Sequence, residues 1–135
     1  MMKCISMGML LLAAACGRES SARTSDAAPA VSAGVLESQR IAGEARIAPG
    51  DADVAAIRAA GKERVEAVAR LCLDTAGVVQ SVTLTKPSGF AGYDQTIEQG
   101  MRSWRFRPYE IDGKPTAVCT AVTFVYSTRP GAAAP

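Results

Sequence analysis

Between Glu66 and Asp74 the chain alternates with period two, and this stretch limits the fold more than any other. Ala67, Ala69, Leu71 and Leu73 fall on one face; Val68, Arg70 and Cys72 fall on the other. That spacing suits a strand with one buried face. Asp74-Thr75-Ala76-Gly77 follows as a hairpin turn, with glycine where a positive φ is needed. Val78–Lys86 reads as a second strand, with Val82 and Leu84 on one face. Pro87-Ser88-Gly89 breaks it. A helix is predicted from Asp94 to about Arg105, with Ile97, Met101 and Trp104 at helical spacing and Pro108 as the stop. Gly100 in that helix costs about 1 kcal/mol against alanine, and close approach to the sheet would explain it. Asp112-Gly113 is a turn, and Pro115–Tyr126 is an uncharged third strand. Upstream, Asp51–Gly61 reads as a short helix capped by Asp51 or Asp53, with Val54 and Ile57 on one face and Gly61 at its end.

The N-terminal end carries a different signal. Lys3 precedes the apolar run Met7–Ala15, which ends in small residues. A positive start, a short apolar stretch and a small-residue cut site make a secretory signal peptide over residues 1–15. The run from Ile5 to Ala15 is too short to span a bilayer, being roughly 16 Å as a helix against about 30 Å of hydrocarbon. Cys16 directly after the cut resembles a bacterial lipoprotein signal, which implies acylation of its thiol. Ala13 stands where that family favours Leu, and a plain signal peptide cut elsewhere is the alternative. Gly17 rather than Asp after Cys16 resembles a lipoprotein sorted to the outer membrane. Residues 16–44 read as a flexible tether, rich in Ala, Ser, Thr and Arg at its start, and 128–135 as a loose tail.

Export leaves Cys72 and Cys119 as an even pair in an oxidising compartment, and a disulfide is predicted; two buried free thiols are the alternative. The topology agrees. A hairpin, a helix and a third strand form a split crossover, and right-handedness puts the first strand between the other two. The expected fold is α+β: a three-stranded antiparallel sheet in order 2-1-3, one helix on one face, and a short N-terminal helix, within a domain over residues 45–127. Cys72 and Cys119 then share the face away from the helix.

This pattern resembles the TonB C-terminal domain. The matching residues are Asp74 and Gly77 after an alternating strand, Ser88-Gly89, Tyr93-Asp94 opening a helix, Trp104-Arg105-Phe106-Arg107-Pro108, and Gly113-Lys114-Pro115 before a strand with Val122 and Phe124. Ser88, Gly89, Asp94, Trp104, Phe106 and Pro108 read as structural: Trp104 and Phe106 bury area between helix and sheet, and Asp94 caps a helix. Arg102, Arg105 and Arg107 read as a solvated face. An energy-transducing TonB also has a membrane helix and a long Pro-rich spacer. The resemblance therefore implies the binding module and not the motor.

Composition narrows the function. The formal charge is +2, falling to about +1 without Lys3, so no basic field exists for nucleic acid. There is no histidine, which removes the commonest general base and metal ligand. A Ser88–Lys86 dyad would need an oriented base and an oxyanion site, and Glu110 and Asp112 merely flank a turn. No catalytic residue, metal site or cofactor is expected. The resemblance implies that an envelope protein or receptor peptide adds as a strand, linked to TonB-dependent transport. The expected edge carries Val118, Thr120, Val122, Phe124 and Tyr126. Cover by the Ala-rich N-terminal segment, or a homodimer through the third strand, would relieve the same open edge. The chain is expected on the periplasmic side of the outer membrane, held by lipid. The alternative is a structural lipoprotein that scaffolds an envelope complex without reading a peptide.

Overall fold

A computed structural model describes residues 28–129. The signal segment, Cys16, residues 16–27 of the expected tether and residues 130–135 of the expected tail lie outside the described residues. In chain order the elements are α1 (Ala33–Glu37), β1 (Arg40–Ala42), α2 (Asp51–Ala59), β2 (Arg64–Leu73), β3 (Val79–Lys86), α3 (Ala91–Arg102), β4 (Arg105–Phe106), β5 (Glu110–Ile111), β6 (Lys114–Pro115) and β7 (Val118–Ser127). The main sheet is antiparallel in order β3-β2-β7, with α3 packed against it. This is the α+β arrangement expected from the crossover argument.

The hairpin turn depends on Asp74. Its Oδ1 accepts from the N–H groups of Ala76 (2.9 Å) and Val78 (3.0 Å), and Gly77 takes φ 79°. A Cβ on Gly77 would sit 2.1 Å from the Phe106 carbonyl oxygen, so the turn is pressed against β4. In β2 the core face carries Val65, Ala67, Ala69, Leu71 and Leu73, all buried. Ile97 and Met101 of α3 pack onto it with Trp104, Phe106 and Phe124. Each such side chain contributes about 1.5–3 kcal/mol by leaving water.

Three boundaries differ from the sequence reading. The α3 helix starts at Ala91 and ends at Arg102, so Trp104 lies beyond it. Asp94 is inside the first turn, where its Oδ1 accepts from the Ser88 N–H at 2.8 Å; it ties the preceding loop to the helix start. The α2 helix is preceded by Gly50 as its N-cap, ahead of both aspartates. The third strand begins at Val118 because Lys114–Pro115 is used in a separate hairpin with Glu110–Ile111. Asp112 (φ 52°) and Gly113 (φ 75°) give that hairpin two successive left-handed residues, the geometry that matches strand twist.

The expected tether over 16–44 leaves open whether residues 35–46 pack on the domain, and its described part does pack. From Pro29 onward the chain is built into the domain. Leu36 of α1 is 1 % exposed, and β1 pairs with β4 through Arg40↔Phe106 and Ala42↔Arg105. Ser32 caps α1, its hydroxyl accepting from the Val35 N–H at 3.4 Å. Gly100 also acts differently from the expectation: a Cβ there would meet the Ile47 side chain at 2.7 Å, so the close approach is to this N-terminal segment and not to the sheet.

Candidate functional site

β7 lies at the edge of the main sheet, and its register fixes what each residue can do. Cys72 faces Cys119, Leu71 faces Thr120, Ala69 faces Val122 and Ala67 faces Phe124. Cys72 and Cys119 form the disulfide, with Cα atoms 4.1 Å apart and exposures of 2 % and 3 %. Cys119 turns its main chain away from β2. Its N–H donates to the Pro29 carbonyl, and its carbonyl accepts from the Val31 N–H, both at 2.9 Å. The pair is therefore of the non-hydrogen-bonded kind, in which Cα atoms approach most closely. Ala30 forms a parallel bridge with Cys119.

Alternation along a strand extends this result. Ala121, Thr123 and Val125 share the parity of Cys119, so their N–H and C=O groups also point outward. Among the described residues these groups have no main-chain partner. The residues expected to bind a partner differ from these in backbone parity. Val118, Thr120, Val122, Phe124 and Tyr126 have the opposite parity. Their main chains bond to β2 and their side chains lie on the helix-side face, where Val118, Thr120 and Phe124 are buried. The edge strand is the expected one, but the residues free to pair are the alternate set.

Beside the open stretch lies a groove of about 510 Å³, lined by Ala45, Arg46, Ile47, Arg64, Thr123, Phe124 and Val125. Its wall is the 45–47 segment. That segment is held in place by two buried aromatics: the Trp104 indole donates to the Glu44 carbonyl at 2.8 Å, and the Tyr93 hydroxyl donates to the Ile47 carbonyl at 3.2 Å. Burial is the main reason the Tyr93 phenol is pushed up to about 12, with Asp94 and Tyr126 adding to it. Arg40 lies 5.4 Å over the Trp104 ring and pairs with Glu37. At the groove, Arg46 has no carboxylate partner among the described residues, and Arg64 is 3.7 Å from Glu66. Cover of the third strand by the Ala-rich N-terminal segment is one of the sequence readings, and Ala30 supplies it at Cys119; sequence reasoning did not find Arg46 or Ile47, because a segment of this composition has no periodicity to report.

The other singled-out residues are structural in their placement. The Ser88 hydroxyl accepts from the Phe90 N–H (3.1 Å) and donates to the Phe90 carbonyl (3.2 Å), while Gly89 takes φ 91°. Lys86 pairs with Glu66 at 3.2 Å, so it and Ser88 are not assembled into a dyad. Trp104 and Phe106 are buried edge to face with centroids 6.2 Å apart, and Pro108 is exposed beyond β4. Arg105 is more than a solvated charge: its guanidinium donates to the carbonyls of Arg102 (3.2 Å) and Trp104 (2.8 Å), closing the end of α3. Among the described residues no group of three Cys, Asp or Glu side chains could hold a metal ion, and no helix is long and apolar enough to cross a membrane.

No protein-family model matches this chain, and no curated protein matches it.

Proposed function

We propose that this chain is a lipid-anchored binding module on the periplasmic side of the outer membrane. It recognises an extended segment of an envelope protein or receptor by adding that segment to the β7 edge. One observation carries the reading: Ala121, Thr123 and Val125 offer three successive outward main-chain positions beside a walled groove. An unpaired edge of this length attracts a strand, and main-chain hydrogen bonds then hold the ligand. The TonB-like sequence pattern supports the same mode and a link to TonB-dependent transport.

Of the core-facing side chains of β7, Val118 and Thr120 are buried inward, while Phe124 lines the groove. Selectivity falls to the groove wall, where Arg46 and Ile47 stand beside Thr123 and Val125. The test is a titration of the mature chain with peptides from the plug domains of outer-membrane receptors, followed by amide shifts. Shifts centred on Ala121, Thr123 and Val125 are expected. Their absence, together with stable co-purification of the chain with an envelope assembly, would replace this reading with the scaffolding one.

A further inference from the structure

The β7 edge already carries one short strand, and it belongs to the chain itself. Pro29–Val31 runs parallel to the start of β7 and fills the outward position at Cys119 with two hydrogen bonds of 2.9 Å. Among the described residues the next outward positions, at Ala121, Thr123 and Val125, have no main-chain partner. Pro29 and Ala30 are exposed, and Val31 only partly packs against the core. The firm anchor comes later, at buried Leu36. Among the described residues this short strand is held by those two bonds and by the partial packing of Val31, at the place where a longer added strand would have to lie.

We propose that Pro29–Val31 is an autoinhibitory strand. Its docking and the pairing of a partner with Cys119 exclude one another, and its release extends the open edge from Ala121 back to Cys119. The inference rests on the strand-addition reading and adds a length dependence to it. A short ligand fits over Ala121–Val125 and leaves the strand in place. A long ligand must displace it. Leu36 and the β1–β4 pairing keep the rest of the N-terminal segment attached while this happens.

The test uses the mature chain and two blocked peptides of alternating Thr and Val, about five and about ten residues long; at roughly 3.3 Å per residue only the second reaches Cys119 from the groove. Both peptides are expected to shift the amides of Ala121, Thr123 and Val125. Only the long one should speed hydrogen exchange at the Val31 amide, in proportion to occupancy, while the Cys119 amide stays protected by its new partner. The substitution Val31→Pro removes the donor to Cys119. It should tighten the long peptide about fivefold, the worth of roughly one net backbone hydrogen bond, and leave the short one unchanged. Unaltered Val31 protection at saturation with the long peptide would overturn the proposal, and this wild-type measurement decides even where Val31→Pro disturbs folding. Shifts at Ala121–Val125 with unchanged Val31 exchange leave strand addition standing without the inhibitory strand. No shift with either peptide removes both.

Discussion

Cys119 is held from two sides: its side chain is bonded to Cys72, and its main chain is bonded to Pro29 and Val31. The disulfide thus supports two separate pieces of structure. Replacing both cysteines by alanine should lower stability by about 4 kcal/mol in the chain-entropy account, given the sequence separation of 47. A urea midpoint measurement checks this. Hydrogen exchange at the Val31 amide should rise in the same variant, because the strand that receives it is no longer stapled to β2.

Thr120 is 5 % exposed, and among the described residues its hydroxyl has no hydrogen-bond partner. An unpaired buried hydroxyl destabilises the folded state. Thr120→Val keeps the β-branched shape and should stabilise the protein by about 1 kcal/mol. A lower urea midpoint in the variant would mean the hydroxyl has a partner in solution.

Gly77 and Gly89 both have positive φ but differ in their surroundings. Alanine at Gly89 meets open space, so only backbone strain is incurred, about 1–2 kcal/mol. Alanine at Gly77 would also strike the Phe106 carbonyl, which accepts no compromise from a flexible side chain. Gly77→Ala should therefore cost at least about 2 kcal/mol and clearly more than Gly89→Ala. Comparing the two thermal unfolding midpoints separates the clash from the strain.

Tyr93 makes the fold sensitive to alkali. Its phenol is pushed up to about 12 in the folded state, first by burial and then by Asp94 and Tyr126. In the unfolded chain the phenol ionises near pH ~10. Above that pH the unfolded state binds fewer protons than the folded one, so stability falls as pH rises, by about 2–3 kcal/mol across the window from 10 to about 12. Tyr93→Phe should flatten that slope while losing about 1 kcal/mol at neutral pH with the bond to the Ile47 carbonyl. Denaturation at a series of alkaline pH values measures both effects.

The central sheet was legible because its information is local. Alternation over Glu66–Asp74, the Asp74–Gly77 turn and the handedness of a crossover suffice to give the strand order and to place Cys72 beside Cys119. The N-terminal segment was not legible for the opposite reason. Pro29–Val31 is a strand only because β7 presents a carbonyl and an N–H to it, and α1 is a helix of one turn anchored by a single leucine. The parity of the β7 edge also escaped, since it depends on which side of β7 faces β2. No run of Val, Thr and Ala reveals that by composition. The start of α3 was misplaced because Asp94 looks like a cap from sequence, whereas its carboxylate serves the loop at Ser88.

The direction of Pro29–Val31 has a mechanical consequence. Because this strand lies parallel to β7, a load drawn on residue 28 acts along the strand axis, toward the Val118 end and away from Ser127. Both of its bonds to Cys119 are then stressed together in shear instead of peeling one after the other. Beyond them the next buried side chain along the chain is Leu36, which would take up such a load ahead of the 45–47 wall of the groove.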